Sequence, residues 1–327
     1  MRNMTHSSTR FSALRPTMDA SAVPPWTVCA VLLLAVLSGA HAYPKVAYTE
    51  RVDGWKLRIQ ILDIADGSAT PFTDGSLDEY GGSWGPRGDS LVAAGKRDGN
   101  WDIFRARIGS ADRTWLGEHP SNDGSPAWSP DGRRVAFGSS RDGHAQVYVM
   151  DIDGKNVRRA SDDRRRASHL SWSPDGNSLV YLSWDDDLVA VVRLVDLNTG
   201  VTRSLTPEDE VVGDPVLSWD GKHIAFATPD YRYVDAMTLD GRHRWRATAG
   251  LRGDSFAPAW TPDGGISFLW YHDGGYHIGV TGLRGGGVES IADVPTIPTD
   301  LAWYNPDWFH ARASEVFLPK LWGRLKR

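Results

Sequence analysis

Residues 125–154 read SPAWSPDGRRVAFGSSRDGHAQVYVMDIDG, and this stretch decides the fold because most of the chain is made of copies of it. It divides into three short strands joined by tight turns. In the first turn Pro130 presets φ for a corner, the Asp131 carboxylate bonds its own backbone, and Gly132 takes the positive φ that bends the chain back. The result is a hairpin from Pro126-Ala127-Trp128 to Arg134-Val135-Ala136-Phe137. A second turn, Arg141-Asp142-Gly143-His144, leads into Gln146-Val147-Tyr148-Val149-Met150, and Asp153-Gly154 turns the chain again.

Aligned on its tryptophan, the unit recurs at Trp84 (SWGPRGDSLVA), Trp128, Trp172 (SWSPDGNSLVY), Leu217 (LSWDGKHIAF), Trp260 (AWTPDGGISF) and Trp303 (AWYNPD), with spacings of 44, 44, 45, 43 and 43 residues. So regular a period means one supersecondary unit copied around an axis, each copy burying its apolar face against the next. A polar fourth strand closes each copy, at 157–160, 201–205, 242–248 and 288–292. Four strands per copy without helical periodicity predict an all-β fold, a β-propeller of four-stranded antiparallel blades.

The ends set the blade number. Trp303 opens a sixth unit that lacks second and third strands, and these stand near the other end: Val46-Ala47-Tyr48 matches Val135-Ala136-Phe137, and 56–64 supplies the third strand. Pairing the N-terminal strands with the C-terminal one closes a six-bladed ring and removes the exposed sheet edges.

The run AWSPDGRRVAFGSSRDGHAQVYVMDIDG resembles the WD-type repeat of the TolB-like propellers, whose eponym serves the Tol-Pal system of the bacterial envelope. The resemblance covers about residues 43–307; the copies at Trp128 and Trp172 match it best, while 217–221 lacks the proline and Tyr271-His272-Asp273-Gly274 replaces the Arg-Asp-Gly turn. It implies the six-bladed fold and a habit of binding proteins. The propeller is expected to begin directly after the leader, without the α/β domain that precedes it in TolB.

The leader is residues 1–42. Arg2, Arg10 and Arg15 precede an apolar run, 28–37, that ends in Ala40-His41-Ala42, the pattern of a cleaved secretory signal peptide. The run is too short for a comfortable membrane span, and Met18 is an alternative start. Cys29, the single cysteine, lies in this leader, and Trp26-Thr27-Val28 before it is no lipobox, so the exported chain holds no disulfide or thiol nucleophile. The expected location is periplasmic or secreted. The chain's net charge is −5, and the leader removes three arginines against Asp19, a balance that argues against a nucleic-acid partner, whose electrostatic footprint would be strongly basic.

In a propeller the loops between second and third strands share one face with the connections into the next blade, and loops on a rigid scaffold carry binding residues. The strongest signal on that upper face is charge. Asp185, Asp186 and Asp187 and Glu208, Asp209 and Glu210 belong to one blade, and Arg164, Arg165 and Arg166 to the neighbouring connection. Such a sector suits a basic peptide or Ca²⁺, or forms salt bridges within itself. Tyr80, His169 and Phe256 stand on the same connections, and Trp55, Trp101, Trp184, Trp270 and Tyr271 are the aromatic residues nearest them. The Arg-Asp-Gly turns read as turn chemistry, with the arginines bridging adjacent blades.

Gly81-Gly82-Ser83-Trp84-Gly85 matches GxSxG, but that motif needs a strand-to-helix turn, and Ser83 falls in repeat register with Ala127 and Ser171. His272 and His277 lack a third metal ligand. Loose acid–base candidates at the channel mouth are Glu79, Asp123, His169, Asp254 and Asp300. Residues 308–327 leave the repeat as a basic amphipathic tail, interrupted by Pro319, that packs on the propeller or contacts a membrane surface or partner.

The function that follows is an exported, non-catalytic propeller that binds a protein or envelope component through its upper loops. The alternative is a carbohydrate- or peptide-acting enzyme at the channel mouth. The leader reading has a direct test: N-terminal sequencing of the exported protein is expected to begin at Tyr43, and a start at Met1 or Met18 would refute cleavage.

Overall fold

The computed structural model describes residues 45–52, 56–163, 165–187 and 189–305. These form six four-stranded antiparallel sheets and no helix. Their inner strands are Glu79–Trp84 (blade 1), Asp123–Trp128 (blade 2), Arg166–Trp172 (blade 3), Gly213–Leu217 (blade 4), Asp254–Trp260 (blade 5) and Ile297–Trp303 (blade 6). Each inner strand touches the inner strand of the blade on either side, so the six enclose a central channel. Blade 6 is built as expected, in the order Ile297–Trp303, Lys45–Val52, Lys56–Asp63, Ala69–Pro71, with Val46 opposite both Trp303 and Leu62. The leader, Trp55, Arg164 and the tail from 306 onward lie outside the described residues.

The core lies between blades rather than within one. Ala127, Ala136 and Val149 of blade 2 pack with Trp172, Leu179 and Tyr181 of blade 3, and five further clusters repeat this arrangement around the ring. A blade is apolar on both faces, so it needs a neighbour on each side, and the closed ring supplies both. Successive residues of the second strands, such as Leu91, Val92, Ala93 and Ala94, are therefore all fully buried.

Three of the repeat tryptophans tie blade to blade through the inner strands. The indole N–H of Trp84 donates to Ala302 O (2.8 Å), that of Trp172 to Ala127 O (2.9 Å) and that of Trp260 to Val216 O (3.0 Å), each on the preceding inner strand. Ser83 takes part in the same lattice, since its hydroxyl accepts from Trp128 N at 2.9 Å, as Ser171 accepts from Leu217 N at 3.1 Å. The GxSxG serine is thus an inter-blade link. In the lower turns Asp131 accepts from the Ser129 hydroxyl (2.6 Å) and from Arg133 N, while Gly132 sits at φ 70°. The same chemistry recurs at Ser173-Asp175, Ser218-Asp220 and Thr261-Asp263.

The ties have a measurable energy. Trp172→Phe keeps most of the ring but strands Ala127 O, and is expected to lower unfolding free energy by about 1–3 kcal/mol. Trp172→Ala adds a cavity and should cost roughly 3–5 kcal/mol. Urea unfolding checks both; a Trp172→Phe variant as stable as the wild type would show that the hydrogen bond contributes nothing beyond volume.

Candidate functional site

A bulge at one repeat position shapes the channel. In blades 1 to 5 two inner-strand residues stand opposite a single partner: 81–82, 125–126, 169–170, 214–215 and 257–258. The first residue of each pair has positive φ: Gly81, Ser125, His169, Asp214 and Ala257. Such bulges re-aim side chains. Because the deformation recurs in blade after blade, it belongs to the fold, and the blades differ in what they place there. Blade 3 contributes His169 and blade 4 Asp214, and Asp300 of blade 6 follows Ala257 by 43 residues.

All three line the channel. His169 Nε2 lies 3.1 Å from Asp214 Oδ1, and Asp300 Oδ1 accepts from Thr49 N at 3.1 Å. Burial pushes the Asp300 carboxyl above its ordinary value; the negative charge of Asp214 adds to this, and His169 and the Thr49 contacts work against it. Tyr80, just before the first bulge, packs edge-on against Trp101 at 4.8 Å between centroids. Its phenol is pushed up to about 12, mainly by burial, with Asp300 adding to the rise. A histidine–aspartate pair in a channel shared with a buried carboxyl whose pKa is raised is equipped for proton transfer or for holding a cationic group. The cavity holds about 230 Å³, below the 300–1,000 Å³ usual for small-molecule sites. It admits a side chain more readily than a polymer.

On the upper rim the acidic sector is met by arginines. Arg165 lies 3.5 Å from both Asp185 and Glu208, and Arg166 lies 3.0 Å from Asp186 while covering the Trp184 ring at 4.9 Å. Arg193 bridges Glu208 (3.0 Å) and buried Asp163 (3.3 Å), and Arg244 pairs with Glu210. Asp185 also caps its own turn, accepting from Asp187 N and Val189 N. Asp187 and Asp209 are exposed. Among the described residues no three histidine or carboxylate side chains are grouped to hold a metal ion. Calcium would therefore have to compete with guanidinium groups for Asp185 and Glu208.

Other candidates have structural roles. Glu79 is fully buried against Arg113 (2.6 Å) and Thr73, and Asp123 is buried against Arg141 (3.1 Å). The arginine of the Arg141 turn thus pairs within its own blade, since the inner strand brings Asp123 beside it; Arg97 likewise faces Asp102 of its own blade. Phe256 packs against the core between blades 5 and 6. Trp270 stacks on His272 at 4.8 Å and donates to Arg252 O.

Four exposed apolar residues also stand on the upper face. Of the exposed large hydrophobic residues, Val211 lies on the connection into blade 4, Tyr231 on the second-to-third loop of blade 4, Tyr271 near the end of the second strand of blade 5, and Ile297 at the start of blade 6. These all stand at the upper ends of their blades. Only Tyr271 stood out in the sequence. Asp214 had a readable signal: it occupies the repeat position of Ser125 and Ala257, each followed by proline.

Comparison with known proteins places these features in context. Residues 40–249 match the family model of the TolB beta propeller domain. The fold is similar to TolB from Acinetobacter baumannii (18% identity, TM-score 0.67, 83% of this chain and 69% of that one). It is also similar to a putative TolB from Agrobacterium tumefaciens (20%, 0.59, 76% and 88%) and to an oligogalacturonate lyase in complex with manganese (16%, 0.54, 77% and 74%). No curated protein sequence gives a significant match. Among the described residues no helix is long and apolar enough to cross a membrane.

The channel carboxyl makes a pH prediction. Because the Asp300 pKa is raised in the folded state, its protonated form stabilises the fold, and that stability is lost as pH rises through the folded pKa. Asp300→Asn keeps an acceptor for Thr49 N and is expected to raise Tm at pH 7, by about 2–4 °C for each kcal/mol recovered. The gain should vanish near pH 4, about the ordinary aspartate value. A lower Tm for the variant at pH 7 would contradict this account.

Proposed function

The chain belongs to the TolB β-propeller family, and from that premise we propose that it is an exported, non-catalytic propeller that binds a protein or cell-envelope component through its upper face. The observation that carries this reading is the set of exposed apolar residues Val211, Tyr231, Tyr271 and Ile297 on the same face as the charged sector of Arg165, Arg166, Asp185, Asp186 and Glu208. Exposed aromatic and aliphatic anchors next to a polar rim are what a protein partner buries. The ion pairs of the rim would set orientation and association rate more than affinity.

The channel favours a second reading in which His169 and Asp214 act on a carbohydrate or peptide. Its support is the 3.1 Å pair inside the cavity and the shared fold with a lyase, which by itself carries no function.

Affinity capture from envelope extract separates the two. Tyr231→Ser/Tyr271→Ser is expected to weaken a captured partner at least about tenfold, at roughly 1–2 kcal/mol per anchor. Val201→Ser, an exposed position at the lower end of blade 3, should leave capture unchanged. Capture that ignores the tyrosines, with turnover of a glycan or peptide panel that His169→Ala abolishes, would replace binding with catalysis.

A further inference from the structure

The lower face departs from the repeat pattern in blade 4. In blades 1, 2, 3 and 5 a proline precedes the Asp-Gly or Arg-Gly turn, and Pro86 and Pro174 pack on the turn glycine of the next blade. A Cβ on Gly132 would meet Pro86 at 2.5 Å, and one on Gly221 would meet Pro174 at 2.8 Å; at Gly88 the ring of Tyr304 takes the same place. Blade 4 carries Trp219 where blades 1, 2, 3 and 5 carry proline, and Leu217 where the other five carry the wedge tryptophan. The Trp219 indole turns aside to donate to Trp260 O (3.1 Å) and Thr261 O (3.0 Å). A Cβ on Gly264 of blade 5 would consequently meet nothing within 4 Å among the described residues. A groove of about 860 Å³ lies at this place, lined mainly by blades 4 and 5, with Pro174 of blade 3 and Asn305 of blade 6 at its sides.

Three properties of the groove specify an occupant. Asp220, Asp263 and Glu289 line it, and no lysine or arginine does among the described residues. The Thr281 hydroxyl is buried in its wall without a hydrogen-bond partner among the described residues, a cost that an occupant offering a polar group would relieve. Asn305, the last described residue, also lines it and is buried. Residue 306 therefore follows directly from the groove.

We propose that residues 306–327 fill this groove. They carry Arg312, Lys320, Arg324, Lys326 and Arg327 against Asp307 and Glu315, so their charge complements the acidic rim. Trp308 and Phe309 follow Asn305 by three and four residues, a reach of about 10–14 Å in extended chain, and meet the apolar floor formed by Trp219, Trp260 and Leu283. The departures of blade 4 and the departure of the tail from the repeat are then two halves of one contact. The upper face stays open to a partner.

Zero-length carbodiimide coupling on the full-length protein tests this, because it joins lysine amines to carboxylates in direct contact. Lys320 or Lys326 should couple to Asp220, Asp263 or Glu289 within monomers, and coupling should fall at least about fivefold in Asp263→Asn/Glu289→Gln. Coupling of these lysines only to other carboxylates, only between molecules, or not at all would overturn the proposal. A second measurement is independent of the substitutions: flotation with phosphatidylglycerol vesicles in 0.15 M salt should leave the protein unbound. Flotation that is lost on removing residues 306–327 would assign the tail to a membrane surface instead.

Discussion

Everything in this molecule depends on a blade having two apolar faces. One antiparallel sheet with Leu91, Val92, Ala93 and Ala94 buried in succession cannot stand in water, and the cost is met by placing another blade on each side. The indole hydrogen bonds of Trp84, Trp172 and Trp260 to the preceding inner strand then set how one blade sits on the next. Closure follows from the same requirement. A ring of blades built in simple order would hold its first and last members together by side-chain packing alone. Pairing Lys45–Val52 with Ile297–Trp303 makes the two ends of the repeat array one sheet.

With the scaffold shared by all six blades, individuality lies where a copy departs from the pattern. The inner-strand bulge recurs, but histidine and aspartate occupy it in blades 3 and 4, and this difference alone turns a structural kink into a polar channel site. The rim follows the same logic. Charges that read as an acidic cluster along the chain are cancelled across loops by Arg165, Arg193 and Arg244, which leaves Val211, Tyr231, Tyr271 and Ile297 as the more distinctive surface. Trp219 repeats the lesson on the opposite face, where a tryptophan in a proline's place lines a groove.

Legibility divided along the same line. The blade number, the four-stranded unit, the split blade and the structural role of Ser83 all follow from register, because the period is nearly constant and each copy repeats the same turn chemistry at Pro130, Asp131 and Gly132. Tyr80, His169 and Tyr271 were legible as upper-face candidates, whereas Phe256, on an equally plausible connection, is spent on the core between blades 5 and 6. Glu79 and Asp123 have partners in Arg113 and Arg141 that charge patterning does not pair, since each pair joins different strands of its blade.

The amino-acid sequence by itself determined the six-bladed all-β ring, because a repeated unit that can bury its faces only against copies of itself has few other ways to fold. Only the tertiary structure decided which side chains meet. His169, Asp214 and Asp300 are separated by whole blades in the chain and face one channel because the ring closes around it. Asp185 and Glu208 are met by Arg165 and Arg193, which other segments of the same blade carry, and Asn305 lines a groove together with Trp219 of another blade. Contacts of this kind arise from the axis, and periodicity along the chain carries no record of them.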